Sequence, residues 1–92
     1  MKPIRCSHHA KMQMVLRGAT EDEVTTTVKE GRWEAARLGK TKSKYQVGFN
    51  KISLLNQKFY KYKTVEAIFA DEPNEIVVIT VKVYYSNEEV KP

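Results

Sequence analysis

The feature that most constrains the fold is a β-branched and aromatic run near the end of the chain, residues 75–85, with the sequence EIVVITVKVYY. From residue 77 on, its odd positions are apolar without interruption, and they are Val77, Ile79, Val81, Val83 and Tyr85. The even positions between them become polar toward the C-terminal end. A period of two indicates a strand, here with one apolar side and one half-open side. The run therefore predicts the centre of a small sheet.

Length and composition restrict the chain to one small domain. The 92 residues form a single unit, 1–92, because a chain of this length buries roughly 60–65% of the surface that its unfolded form exposes, which suffices for one core. No apolar run is long enough to span a membrane, and the first residues lack the apolar segment of a signal peptide, so a cytoplasmic location and no membrane partner are expected. Cys6 is the single cysteine, which excludes an internal disulfide.

Charge is distributed unevenly along the sequence. Residues 35–65 carry eight lysine or arginine side chains and no carboxylate, whereas residues 66–92 carry six carboxylates and two cations. Cations without acidic neighbours bind phosphates favourably, because binding releases the counterions that were condensed on the phosphates. The middle segment is therefore typical of a surface that faces a polyanion. A solvated, lysine-rich edge that resists strand-to-strand aggregation explains the same pattern. Both interpretations stay open at this point.

Two short helices are predicted before residue 32. Ser7 is an N-cap and Gly18 a left-handed stop for the first of them, HHAKMQMVLR. Thr20 and Glu23 have the capping-box spacing for the second helix, which ends at Gly31. On the first helix one arc contains His8, His9, Met12, Val15 and Leu16, and a stripe of His9, Gln13 and Arg17 follows its edge. This stripe is expected where the core meets solvent.

Four strands are predicted after the helices. They cover residues 33–38, 45–49, 58–70 and 75–85, with a basic loop at 39–44 and an ambiguous stretch, strand or helical turn, at 50–57. An odd-length loop between the last two strands would place Val65, Ala67 and Phe69 beside Val77, Ile79 and Val81. The other face then carries Tyr60, Tyr62, Thr64, Glu66, Thr80, Lys82 and Tyr84. The order ααββββ predicts an α+β fold with two helices on one face of a four-stranded antiparallel sheet and the opposite face open.

A second candidate binding segment alternates cations with aromatic residues. It runs from Lys58 to Lys63 with the sequence KFYKYK. On a strand Tyr60 and Tyr62 share one face and could stack on unpaired bases, while Lys61 and Lys63 line the rim. Ordinary cross-strand aromatic packing explains the same residues equally well.

The helix string SHHAKMQMVLRG and the acidic helix start that follows it resemble a bacterial family known as domain of unknown function 4258. The matching positions are Ser7, His9, Ala10, Met14, Arg17, Gly18, Glu23 and Val24, together with the closing segment IVVITV. One position departs from the family pattern, since Gln13 stands where the family usually has arginine. The resemblance covers most of the chain and implies a fold similar to that of the RelE and BrnT ribonuclease toxins.

That resemblance implies a toxin-like domain that cuts RNA without metal or another cofactor and pairs with an acidic, antitoxin-like protein. Such cleavage needs a base for the 2′-hydroxyl, an acid for the leaving oxygen and cations for the phosphorane. His9 is the acid/base candidate, because histidine titrates near neutrality. Arg17 and Lys82 are candidates for holding phosphate, Tyr84 or Thr80 for positioning or donating, and Glu66 is the carboxylate of the open face.

Each of these roles has a purely structural alternative. His9 could cap the first helix or contact the sheet, and the sequence does not decide whether His8 or His9 faces the sheet. Arg17 could stabilise the C-terminal end of the helix dipole. Cys6 lies close to both histidines, but no second pair of ligands follows, so a zinc site is not expected. A non-enzymatic basic module that binds an acidic protein or RNA is therefore the alternative function.

Overall fold

The computed structural model describes residues 1–89 and has two helices and a five-stranded mixed sheet. The strands are β1 (Ile4–Cys6), β2 (Arg32–Ala35), β3 (Thr41–Ile52), β4 (Phe59–Asp71) and β5 (Ile76–Ser86), and the helices are α1 (His8–Arg17) and α2 (Glu21–Glu30). The order across the sheet is β1-β5-β4-β3-β2. The α+β class is confirmed. Within the described residues, no helix has the length and apolarity needed to cross a membrane.

Both helices begin and end where the capping residues predict. The Ser7 hydroxyl accepts a hydrogen bond from the Ala10 N–H at 3.1 Å, and Gly18 adopts a left-handed φ of 84°. Thr20 and Glu23 exchange both hydrogen bonds of the capping box. These local bonds satisfy N–H groups that a helix start otherwise leaves without partners. Glycine is required at position 18 for a second reason, because an added Cβ would lie 2.7 Å from the Tyr85 hydroxyl.

The helices cover one face of the sheet and form the core with it. α1 packs against β5, and α2 packs against β3 and β4. The fully or almost fully buried apolar residues are Ala10, Met14, Val24, Val28, Val65, Ala67, Phe69, Ile76, Val78 and Val81. Trp33 closes this core from β2, since its indole N–H donates to the Val28 carbonyl at 2.8 Å and its ring meets Phe69 edge-on. Each large apolar side chain buried here contributes about 2 kcal/mol.

The prediction of an odd-length loop between β4 and β5 is wrong. Asp71 pairs with Ile76, which leaves four residues between the strands. The register instead shifts at Ile79, an extra residue in β5 between the pairs Ile68–Thr80 and Phe69–Val78. A bulge inverts the side-chain alternation beyond it. Even positions of β5 therefore enter the core before the bulge and odd positions after it, so that Val77 and Ile79 are not on the buried face as predicted.

The sheet also has one strand more than the four antiparallel strands predicted. β1 pairs in parallel with β5, from Ile4 opposite Ile76 to Cys6 opposite Val78. The sequence indicates that Ile4–Cys6 is extended, but a three-residue strand has too few positions to show a period of two, so its pairing in the sheet was not predicted.

The middle of the sheet differs from the prediction in where its strands begin. β2 ends at Ala35, a short 3-10 turn covers Arg37–Gly39, and β3 begins at Thr41, inside the segment predicted as a loop. The buried Ser43 fixes this part of β3, because its hydroxyl donates to the Thr27 carbonyl of α2 at 2.7 Å. The ambiguous stretch contains both elements considered for it: the end of β3, then a helical turn in which the Gln57 N–H donates to the Ser53 carbonyl.

Candidate nucleic-acid interface on the open face of the sheet

The face of the sheet that the helices leave uncovered carries a row of polar and charged side chains. Cross-strand pairing places Lys42, Lys44, Gln46, Tyr62, Thr64, Glu66, Thr80, Lys82, Tyr84 and Ser86 on it. Side chains directly opposite one another in a ladder share a face, which assigns all of them to the same side. Six of the seven side chains predicted for this face are therefore on it, and Tyr60 is the exception.

Glu66 lies at the centre of this face. Lys44 pairs with it from β3 and Lys82 from β5, so the carboxylate has a lysine strand-neighbour on each side. Glu66 is 5% exposed, and its Oε2 lies 3.5 Å from the Lys44 Nζ. A buried carboxylate is costly unless it is paired, so the ion pair with Lys44 is the physical reason that Glu66 is tolerated there.

A cavity of about 500 Å³ opens above Glu66. Its wall includes Lys42, Lys82 and Arg37, the last contributed by the turn between β2 and β3. A second cavity of about 410 Å³, lined by Lys44, Thr64 and Tyr84, lies one ladder position further along the same strands. The Lys44 ammonium connects the two, because it also lies 5.8 Å from the centre of the Tyr84 ring. We call Lys42, Lys44, Glu66, Lys82 and Tyr84 the open-face cluster.

The open-face cluster has more cations than its single carboxylate can neutralise. Among residues 1–89, Glu66 is ion-paired to Lys44, and no carboxylate lies within ion-pair distance of Lys42 or Lys82. Ammonium groups beside a concave, partly desolvated surface attract anions more strongly than isolated surface lysines do. The arrangement can therefore hold a phosphate group next to a carboxylate that accepts protons.

Arg17, predicted as a phosphate ligand, lies elsewhere. It is half-buried on α1, where its guanidinium donates to the Val81 carbonyl at 2.8 Å. Gln13, one turn earlier, accepts a hydrogen bond from the Val81 N–H at 2.8 Å through its side-chain oxygen. β1 pairs with β5 only as far as Val78. Past that point, side chains of α1 form the hydrogen bonds to the outer edge of β5 that another strand would otherwise form. Such pairing protects a strand edge from other chains.

This contact also gives a physical meaning to the glutamine at position 13. The Val81 N–H needs an acceptor, and a glutamine side chain has one, whereas an arginine side chain has only donors. The stripe of His9, Gln13 and Arg17 does lie at the boundary between core and solvent, since Gln13 and Arg17 are half-buried. The arc of the helix that includes Val15 and Leu16, however, is exposed, and Ala10 and Met14 face the core instead.

His9 is exposed at the N-terminal end of the same stripe. Within residues 1–89 its side chain takes part in no hydrogen bond or ion pair, and the helix cap is Ser7. α1 packs on the helix-covered side of β5, and His9 is not among the residues that line the two cavities of the open face. The four predicted catalytic residues therefore separate into two pairs, with Lys82 and Tyr84 on the open face and His9 and Arg17 on α1.

The segment from Lys58 to Lys63 does not form a continuous stacking platform. The Tyr60 ring packs 5.6 Å from Tyr85, and its hydroxyl accepts a hydrogen bond from Asn56. Tyr62 lies on the open face, between Gly48 and Ser86. The Tyr60 ring therefore does not extend a stacking surface with Tyr62 as predicted, because it packs against Tyr85, whose hydroxyl donates to the Arg17 carbonyl of α1. Lys58 and Lys61 are exposed.

Lys63 is buried on the helix-covered side. Its ammonium donates to the Gly18 carbonyl at 2.6 Å and pairs with Glu23 at 2.8 Å. Burial raises the pKa of Glu23, but the hydrogen bonds from Lys63 and Thr20 and the charge of Lys63 outweigh burial and hold that pKa below its ordinary value. The Lys63 ammonium is bound by groups of the fold, so Lys63 does not line the rim of an RNA-binding surface as predicted.

Cys6 and the neighbouring histidines do not form a metal site in the described part of the chain. Among residues 1–89 no three His, Cys, Asp or Glu side chains are arranged to hold an ion. Burial, followed by the charge of Glu21, raises the pKa of the Cys6 thiol, which keeps it protonated at neutral pH.

Sequence reasoning missed Lys44 as the ion-pair partner of Glu66 and Lys42 as a residue of the same cavity. It placed both lysines in a basic loop at 39–44, and Thr41 and Ser43, which alternate with them, are polar. Ser43 is nevertheless 1% exposed, since α2 supplies a carbonyl for its hydroxyl. The alternation of lysine with small polar residues was the available signal.

Comparison with known proteins adds no family assignment, because no protein-family model, curated protein or solved structure matches the chain. The resemblance of the α1 motif to the bacterial family named above stays a prediction.

Proposed function

We propose that this domain binds single-stranded RNA on the open face of its sheet, with the phosphodiester backbone held by the open-face cluster. The observation that carries the proposal is a groove lined by the buried Glu66 and by Lys42 and Lys82, two lysines that have no carboxylate within ion-pair distance among residues 1–89. Backbone phosphates are the anions that a row of cations on a strand can follow. Tyr62 and Tyr84 occupy the same face and supply rings on which unpaired bases can stack.

The same cluster contains the groups that metal-independent RNA cleavage requires. Glu66 accepts the proton of the 2′-hydroxyl, and the 2′-oxygen attacks phosphorus as the bond to the 5′-oxygen breaks. Lys82 and Lys44 stabilise the charge that develops on the phosphorane, and Tyr84 donates a proton to the leaving oxygen. The products are a 2′,3′-cyclic phosphate and a 5′-hydroxyl. In this proposal His9 is not the base, because it lies on α1 and does not line the groove above Glu66.

The test uses an end-labelled RNA oligonucleotide in the presence of EDTA, compared with the same sequence carrying a 2′-deoxyribose at every position. The RNA should be cleaved and the deoxyribose strand should remain intact, because the nucleophile is missing. Glu66→Gln should lower the cleavage rate about 100-fold while RNA binding is retained. His9→Ala should leave the rate unchanged. Cleavage that persists in Glu66→Gln would refute the assignment of the base.

Binding without cleavage is the second candidate function. Its supporting observation is the 3.5 Å contact between Glu66 and Lys44, in which the carboxylate is already ion-paired. In that case wild type and Glu66→Gln retain RNA equally and neither cuts it. Retention should weaken steeply with salt, which distinguishes both RNA functions from a domain that does not bind RNA at all.

A further inference from the structure

The outer surface of α1 has an arrangement that its own fold does not explain. Val15 is 84% exposed and Leu16 is 69% exposed, so that the apolar arc of the helix faces away from the core. A surface helix normally buries its apolar arc and exposes its polar residues. α1 can do the reverse because its inward side is held by small Ala10, by Met14 and by the polar bonds of Gln13 and Arg17 to β5.

The turn between β3 and β4 brings more exposed apolar side chains to the same place. Leu54 and Leu55 are 95% and 63% exposed, and with Val15 and Leu16 they line one groove of about 140 Å³. Phe49 and Tyr85 also line it. We call Val15, Leu16, Leu54 and Leu55 the helix–turn patch. Single exposed apolar residues are common, but a group of them from two elements around one groove is typical of a docking surface.

The sequence on either side of the residues that form the helix–turn patch is cationic. Arg17 lines the groove, and Lys11, Lys51 and Lys58 are exposed next to the patch in sequence. Neither of the segments that supply the patch, residues 1–20 and 35–65, contains a carboxylate. A partner with acidic residues around an apolar stripe is therefore complementary in charge, whereas a second copy of this chain would bring like charges together.

We propose that the helix–turn patch binds an amphipathic helix of another protein, one that inserts aliphatic side chains into the groove and surrounds them with glutamate or aspartate. A helix laid into an apolar groove is a recurrent mode of recognition. The groove of about 140 Å³ between the two elements can receive a protruding side chain, which a helical ligand supplies and a flat membrane surface does not. This surface is separate from the open-face cluster, so the proposal does not depend on RNA binding.

The test compares two designed peptides of about 20 residues, long enough to form isolated helices. Both carry the same leucine stripe, but one has glutamate and the other lysine on its flanks. Fluorescence anisotropy should show that the acidic peptide binds at least about tenfold more tightly than the basic one. Leu54→Asp should weaken binding of the acidic peptide about tenfold or more, because it places a carboxylate in the groove.

Leu38→Asp is the matched control. Leu38 is 92% exposed, like Leu54, but it lies in the turn between β2 and β3 and does not line the groove. Its substitution should leave peptide binding unchanged, and neither variant removes core packing.

Three outcomes would overturn the proposal. The first is equal binding of both peptides, and the second is binding that Leu54→Asp does not change, as expected if the acidic peptide only contacts the open-face cluster. The third is a different occupant: a dimer seen by sedimentation that Leu54→Asp dissociates, or binding to phosphatidylserine vesicles that Leu54→Asp abolishes while the acidic peptide does not bind.

Discussion

The two faces of β4 each bury a charged side chain, but the two charges differ in how completely they are paired. On the helix-covered face, Lys63 has a carbonyl and a carboxylate at 2.6 and 2.8 Å, and its ammonium lies 5.5 Å from the centre of the Phe49 ring. On the open face, Glu66 has one lysine at 3.5 Å, and the side chain of that lysine is 58% exposed. The first charge is enclosed by groups of the fold. The second faces a cavity that a ligand can enter.

This difference separates a structural charge from a candidate binding charge. A buried charge with complete partners stabilises one arrangement of the chain, and removing it leaves those partners unsatisfied. A buried charge beside incompletely paired cations leaves the electrostatic attraction available to an external anion. We therefore expect substitutions on the helix side to change stability and substitutions on the open face to change binding.

Lys63→Met should give the largest loss of stability, about 3 kcal/mol in the free energy of unfolding. The substitution fills similar space but leaves the Gly18 carbonyl without its donor and the Glu23 carboxylate without its cation. Chemical denaturation followed by circular dichroism measures it. Glu66→Gln is the comparison on the opposite face and should cost less than about 1 kcal/mol, because the exposed Lys44 can turn to solvent. Equal losses in the two variants would contradict the distinction between the faces.

Gln13→Arg should give the next largest loss of stability, about 1.5 kcal/mol in the free energy of unfolding. The Val81 N–H loses its acceptor, since arginine cannot supply one. Gln13→Glu keeps an acceptor oxygen and is the matched control, with a smaller loss of stability expected when both variants are unfolded by chemical denaturation. If the arginine variant is as stable as wild type, the pairing of the β5 edge by α1 does not contribute to stability.

Acid should remove a smaller part of the stability through Glu23. Its pKa is lower in the folded protein than its ordinary value, so the contribution of this group is complete above the ordinary pKa and is lost as the pH falls through the folded pKa. In Glu23→Gln the free energy of unfolding should depend less on pH in that range, and the difference from wild type should be less than about 1 kcal/mol. Unfolding curves at a series of acidic pH values measure the slope. An unchanged slope in the variant would assign acid sensitivity to other carboxylates.

Lys82→Ala should give the smallest effect, on binding alone. The slope of the logarithm of RNA affinity against the logarithm of salt concentration should fall by about 0.7, the value for one phosphate contact on a single strand. Stability should stay as in wild type. Lys29→Ala, an exposed lysine in the last turn of α2, is the control and should leave the slope unchanged. Equal slopes for wild type and both variants would place RNA away from the open-face cluster.

Local sequence signals predicted the helices and most of the open face. Capping residues at Ser7, Thr20 and Gly18 act on atoms within a few positions in the chain, so their effect can be read directly from the sequence. The alternation in β4 likewise predicted Glu66 and Tyr62 on the same side, and the pairing confirms it.

Long-range contacts could not be predicted in the same way. The roles of Gln13 and Arg17 depend on Val81, which lies 68 and 64 positions away. The bulge at Ile79 was missed because an odd-length loop and an even-length loop followed by a bulge both place the odd positions of the later part of β5 on the buried face. Tyr60 was assigned to the open face because nothing near it in sequence indicates that Tyr85 packs against it.

By itself, the sequence determined the α+β class, the ends of both helices and a cationic middle segment, because these follow from neighbouring residues and composition. Only the tertiary structure decided which charges are enclosed and which remain open. Lys63 and Glu66 are three positions apart, and their different surroundings come from α2 on one face and solvent on the other. Burial and pairing depend on elements distant in sequence, and these determine whether a charge stabilises the fold or remains available to a ligand.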